Sequence, residues 1–462
     1  MTTEEASLGG STIVTDDYRE PAAPASAWFA LAVLIVATLF GFVDRQVISL
    51  LAEPIKHALS LSDSQLGIVQ GLGFAVFTTV LVFPLSLLAD RYDRRIVLAL
   101  CVLIWASATA ACGLAHNFTQ LFLATIGIAA GETGLSPIIY STLPDLFPYR
   151  QRVTANFIFY VAAILGVASG LGFGGMAIGL LNSQHAHLPL WLQTWETWRL
   201  AFFVVALPAP LLVFLICFLR LPRGETRNLA SAFEELAPDF LPYLRSQFRT
   251  IASVYSSIGV YTFAFGAAFA WMPIVLVRFY GLTPASSGIA LGLLIGLGSL
   301  SGILIAGVTM RFIVPKYGKL APLRIGRISM LFALVPGLFL IAAREPWQAY
   351  ILVAIQTVAG VAAGSLAPNL IQDLSPPRLR GRLSAIYAMI TVPIGGASGI
   401  LVGVVSDLLH RESRALILAI VIVGTPAWLL AYFLMRQAER PFLRTLQFLS
   451  TTSAEQVNTK ES

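Results

Sequence analysis

Gly41-Phe42-Val43-Asp44-Arg45-Gln46-Val47-Ile48-Ser49 sets an acid beside a base near one end of an otherwise apolar run, residues 28–51. A run of that length is enough to cross a hydrocarbon core of about 30 Å as a helix. An ionisable side chain at bilayer depth costs roughly 2.5–3.5 kcal/mol on insertion scales, so such a residue usually faces a cavity or a partner and marks a site. The plainer alternative is that Asp44 and Arg45 neutralise each other at the helix rim. A second acid weighs against it. Glu132 lies in another apolar run, residues 118–143, among Gly127, Gly131 and Gly134, with no base within a helical turn.

The rest of the chain has the same character. Of its 462 residues 57% are hydrophobic and 12% charged, where soluble domains carry about 25% charged residues. Hydropathy gives twelve stretches long enough to span, near 27–51, 62–89, 96–115, 118–143, 153–180, 199–220, 250–277, 286–310, 325–343, 348–371, 383–407 and 415–436. The expected fold is an all-α polytopic membrane protein with twelve transmembrane helices. Barrel strands alternate and are half this length, which excludes that class.

The formal net charge of +6 is explained by placement. With loops assigned alternately to two sides, 23 Lys and Arg fall on the side of the N-terminus and 6 on the other, and Arg45 lies in the membrane. By the positive-inside rule both termini are expected in the cytosol, in a cell (inner or plasma) membrane. No nucleic-acid partner is implied. The acidic residues 1–26 read as a disordered cytosolic tail without a signal peptide. Residues 221–249 read as a cytosolic linker between six-helix bundles at 27–220 and 250–436, and 437–462 as a mobile cytosolic tail.

Enzyme chemistry is not expected. The five histidines, His57, His116, His185, His187 and His410, all fall in outer connections, and neither a zinc spacing nor a Gly-rich phosphate loop with Lys is present. Cys101, Cys112 and Cys217 lie within spans as small apolar residues. No cofactor, metal set or ATP-driven step is implied.

The bundles are copies. Leu61-Ser62, Gly67-Ile68 and Gly71-Leu72 recur as Leu282-Thr283, Gly288-Ile289 and Gly292-Leu293, shifted by 221. Asp145-Leu146, Pro148, Arg150 and Arg152 recur as Asp373-Leu374, Pro376, Arg378 and Arg380, shifted by 228. Equal positions in two six-helix units give parallel pseudo-repeats, an arrangement in which a substrate site lies between halves near the midplane. Between spans 2 and 3 stands Leu88-Ala89-Asp90-Arg91-Tyr92-Asp93-Arg94-Arg95, and its second-half counterpart, residues 311–327, has kept base but lost acid.

That loop resembles the signature of the major facilitator superfamily, usually written GxxxDRxGRR, with Ser86 and Asp93 in place of the two glycines. The resemblance covers nearly the whole chain. It implies a cytosolic gate of Asp90, Arg91, Arg94, Asp145 and Arg150, in which the Asp caps a helix of the other half. Asp44-Arg45 in span 1, Gly131-Glu132 in span 4 and residues 145–152 most resemble the spinster-like branch, which includes sphingolipid and lysophospholipid exporters. Organic-anion/proton symporters share the Asp-Arg pair and the Glu. Both groups commonly carry an Arg seven residues before that Glu; here it is Thr125, leaving Arg45 as the one membrane base of the first half.

The implied function is a secondary active transporter working by alternating access, with Asp44 and Glu132 exchanging protons and Arg45 beside them. Its partners would be protons, the bilayer and a small amphipathic or anionic solute, moved by a monomer. Lipid-like export is one direction; uptake by an organic-anion/proton symporter is the alternative, and a channel or sensor on a transporter fold a more distant one. Candidate cavity-lining residues are Asn156, Tyr160, Tyr261, Gln356 and Tyr387, each of which could equally be a helix-packing residue.

Overall fold

A computed structural model describes residues 23–221, 240–376 and 379–461, and the regular structure there is helical throughout. Residues 1–22 of the expected tail at 1–26, and 222–239 of the expected linker, lie outside the described residues. Spans 1 to 3 are Ala25–Leu50, the composite Asp63–Gly67, Ile68–Leu72 and Gly73–Arg91, and Arg94–Gly113. Spans 4 to 6 are Phe118–Thr133 with Leu135–Leu146, Tyr149–Gln184, and Thr197–Ala206 with Ala209–Cys217. The second half repeats this as Phe248–Phe269 with Met272–Tyr280, Pro284–Tyr317, Ala321–Phe339, Pro346–Gly364 with Ala367–Asp373, Arg380–Leu408 and Ala415–Glu461. By length and composition 11 stretches qualify as membrane spans, because Pro284–Ala342 counts as one. Gly318, at φ +53, turns the chain inside that stretch and makes it two, giving twelve.

Three spans break for one reason. Proline lacks an N–H, so the carbonyl four residues earlier loses its helical partner. The first helices of spans 4, 7 and 10 stop at Thr133, Phe269 and Gly364, each four residues before Pro137, Pro273 and Pro368. Span starts are fixed by caps: Ser62 and Gln65 form a full capping box, and at the repeat position Thr283 accepts from the Ser286 N–H at 3.1 Å.

The repeat is also visible in clamps that sequence matching does not reveal. Arg199, entering span 6, donates to the carbonyls of Gly113 (2.9 Å) and Ala115 (2.7 Å). Arg414, entering span 12, donates to Ile341 (3.0 Å) and Ala343 (2.8 Å). Both pairs of acceptors stand 228 residues apart.

One expectation is corrected. The polar residues beyond 436 do not leave the fold as a tail: span 12 runs on to Glu461, burying Ala438, Phe442 and Thr445, and Thr445 bonds Thr250 at 2.8 Å. Their apolar residues recur at helical spacing, so one face still finds the bundle.

The halves meet through span 2 against span 11 and span 5 against span 8. Glycines allow backbone to lie on backbone, as membrane helices without a hydrophobic drive between them require. A Cβ added at Gly288 would stand 2.7 Å from the Leu171 carbonyl, and one at Gly292 2.7 Å from that of Ala168. Gly67 and Gly71 press in the same way on the Gly399 and Gly396 carbonyls, next to the π-helical turn Ile68–Leu72.

Candidate functional site

Span 4 is held so that its acid reaches span 1. A Cβ at Gly131 would come 2.5 Å from the Cβ of Trp105, and one at Gly127 2.7 Å from Ala108, so these glycines seat span 4 on span 3. Glu132, the next residue, then lies over the span-1 backbone, its Oε1 3.6 Å from where a Cβ on Gly41 would be. The break after Thr133 falls one residue beyond it. Asp44 and Arg45 follow Gly41 by one turn, and both are electrostatically coupled to Glu132.

Adjacent helical residues point about 100° apart, and that separates the pair. Asp44 is turned inward, 1% exposed, against Trp105 and Thr109 of span 3. Arg45 is exposed although the protein surrounds it, so it lines an open interior space. Its guanidinium rests 3.8 Å from the centroid of Phe74, and it forms no ion pair within 4.0 Å with either acid. Asp44 Oδ1 and Glu132 Oε1 are both buried without a hydrogen-bond partner. The alternative of mutual neutralisation at a helix rim does not fit this geometry. Thr125, where the second Arg would stand, is buried and returns its hydroxyl to the Phe122 carbonyl.

Within the second half, a small cleft with no charged residue in its lining is walled by Phe265, Phe269, Met272, Ile295, Val353 and Gln356. Of the cavity-lining candidates, Gln356 is on this wall, its amide 3.4 Å from the Ala333 carbonyl. Tyr261 donates to the Gly360 carbonyl at 2.7 Å and stacks with Phe265. Tyr387 packs edge-on to Tyr255, and Asn156 is half-buried in span 5. The Tyr160 side chain lies outside the described residues.

At the end that carries the 2–3, 4–5, 8–9 and 10–11 connections, the described ion pairs stay within one half. Arg94 binds Asp145 at 2.6 Å, joining spans 3 and 4. Asp93 takes the N-cap of span 3, accepting from the Arg95 N–H at 3.0 Å, which explains how the loop closes without the glycine of the signature. The side chains of Asp90, Arg91 and Arg150 lie outside the described residues.

The opposite end holds a cross-half hub that sequence reasoning missed. Arg278 of span 7 forks onto Glu53 (2.8 Å) and Asp63 (2.8 Å). Lys56 binds Asp63 at 2.5 Å and Ser406 donates to it at 2.7 Å. Asp407, at the end of span 11, accepts from the backbone N–H groups of Asp63 (2.9 Å) and Ser64 (2.8 Å) and so caps span 2 from the other half. Asp407 thus makes an interfacial cap of the kind expected of Asp90, at the other end of the bundle. The available signal was charge at span ends: Glu53, Lys56, Asp63, Arg278 and Asp407 all stand there.

The sequence profile of the Major Facilitator Superfamily matches residues 33–400. An MFS-type efflux pump of Mycolicibacterium smegmatis is 26% identical over 429 residues, 90% of this chain and 95% of the relative. Protein spinster homolog 3 of Mus musculus is 26% identical over 413 residues, 84% of this chain and 76% of the relative. Among solved structures, a bacterial homolog of the human lysosomal transporter Spinster, in an inward-facing and unoccupied conformation, superposes with a TM-score of 0.74 at 22% identity, covering 91% of this chain and 97% of its own. Twelve spans in two parallel copies, charges in one interior wall and a closed hub at one end agree with these relationships: the chain is similar to spinster proteins, belongs to the major facilitator superfamily and is a multi-pass membrane transporter.

Proposed function

We propose that the chain is a proton-coupled exporter of a small amphipathic solute with an anionic head, working by alternating access with both termini in the cytosol. In that orientation the hub of Arg278 closes the outer side. The observation that carries the reading is the unequal interior: Arg45, exposed and free of any ion pair with Asp44 or Glu132, stands in one half, and an aromatic and aliphatic cleft in the other. A head that accepts a planar fork would sit on Arg45, and its apolar part would lie along Phe265 and Phe269.

Proton coupling rests on the two carboxyls. Each has a buried oxygen without a partner, and keeping a charge there without a matched cation is costly. Taking up a proton would remove the repulsion between them and change the charge that Arg45 faces, which links protonation to the binding of an anionic head. The test is transport by the purified protein in liposomes, with an imposed pH gradient and lysophospholipids, fatty acids and neutral analogues of equal chain length. Accumulation driven by the gradient and selective for anionic heads is expected. Equal movement of neutral and anionic members would overturn the head assignment, and movement indifferent to the gradient would overturn the coupling.

A further inference from the structure

The base-rich connection at residues 311–327 plays no part in that cycle, yet it borders a second cavity. A space of about 490 Å³ lies between spans 8, 9 and 10, in one half of the protein and apart from the central charges. One wall is Ile305, Ile328 and Phe332, all at least half exposed on spans of the bundle's outer face. The other is Tyr317, Arg324 and Arg327. Arg324 and Arg327 share one carboxylate, that of Glu439 on span 12. Arg324 also lies 4.1 Å over the Tyr317 ring. Arg311, Lys316 and Lys319 are exposed beside it, and residues 311–327 hold no acid. The polar end of the cavity therefore keeps an excess of positive charge, with guanidinium forks fixed by stacking and by Glu439.

We propose that this lateral cavity binds an anionic phospholipid of the surrounding leaflet, its phosphate on Arg324 and Arg327 and one acyl chain along Ile305, Ile328 and Phe332. Guanidinium forks match phosphate geometry, and basic pockets between spans recognise anionic head groups. A lipid suits it better than a dissolved anion because its apolar wall opens sideways, at the depth of the spans.

The test is native mass spectrometry of the purified full chain, loaded with phosphatidylglycerol or phosphatidylcholine of identical chains. The parent should retain phosphatidylglycerol preferentially. The triple variant R324Q/R327Q/E439Q removes one net positive charge without stranding a partner, and should lower that retention about fivefold while leaving phosphatidylcholine unchanged. Should the triple variant fail to fold, Ser329→Trp decides: it fills the cavity from its wall without altering charge and should also release phosphatidylglycerol. Equal retention of the two lipids by the parent, or phosphatidylglycerol retention untouched by a folded variant, would overturn the proposal. So would competition by soluble glycerophosphoglycerol as effective as the lipid, which would assign the site to a free anion.

Discussion

The contact between the first and fourth spans of each half is built twice with different chemistry. In the first half Asp44, Arg45 and Gly41 of span 1 meet Glu132 of span 4. Shifted by 221, Asp44 and Arg45 become Phe265 and Gly266; shifted by 228, Glu132 becomes Gly360. Phe265 does pack on Gly360, so closely that a Cβ there would stand 2.6 Å from the ring, and Tyr261 bonds the Gly360 carbonyl. The proline breaks of spans 4 and 10 and the Arg199 and Arg414 clamps are common to both halves. One framework therefore carries an ionisable contact on one side and a dry aromatic contact on the other. A transporter that rocks needs rigid halves, which the shared features supply, and its selectivity can then rest on interior side chains that the framework leaves free to differ.

The strongest way to break this comparison is Glu132→Gln. It should abolish gradient-driven accumulation while folding is kept, because the amide fills the same space and cannot exchange a proton. Thermal unfolding checks the fold and liposome uptake the function; full accumulation by the variant would take the coupling out of the first half. Gln356→Leu, on the opposite wall, should alter which solutes are accepted and leave the dependence on the gradient intact.

Next in size is the hub that ties the halves together. Arg278→Gln leaves Glu53 and Asp63 facing each other, and the loss should fall below the roughly 3–5 kcal/mol of a fully buried pair, since a fifth of the Arg278 side chain is exposed. Conformers open at that end should become populated. Cysteine labelling at span-1 and span-7 positions between the hub and the midplane would detect them, and labelling identical to the parent would show that glycine packing alone holds this end shut.

Arg45→Lys probes the interior more gently. It retains the charge and gives up the fork, so apparent affinity for carboxylate or phosphate heads should drop about tenfold, about 1.4 kcal/mol, just below the roughly 1.5–3 kcal/mol typical of a hydrogen bond to a charged group. Neutral analogues should be unaffected. A shifted pH profile with unchanged affinity would instead make Arg45 a partner of the acids only.

The smallest effects test what the halves share. Arg199→Ala and Arg414→Ala should each lower stability by about 1–2 kcal/mol, since each removes two hydrogen bonds to carbonyls at equivalent span ends, with a small further loss at Arg199 from its pair with the exposed Glu196. Losses unequal beyond that margin in thermal unfolding would mean that the common framework is not used equally.

Much of this was legible without coordinates. Span count and the choice of Asp44, Arg45 and Glu132 rest on local terms: the length of an apolar run and the cost of one charge in hydrocarbon. Those terms act within a few residues of the chain, so a linear reading captures them. Other features needed the packed bundle. That Asp44 turns inward while Arg45 opens to the interior depends on which neighbours surround span 1, and helical spacing says only that they differ. The hub of Arg278 with Glu53 and Asp63 joins residues more than 200 positions apart; nothing near either partner names the other, because the pairing energy exists only once the halves have met. The same holds for span 12, whose polar end looks like a tail until spans 7 and 9 offer it a surface. The sequence by itself determined how many times the chain crosses the membrane and which charges cross with it; the tertiary structure alone decided which of those charges face one another, since that depends on distances between helices that the chain order does not contain.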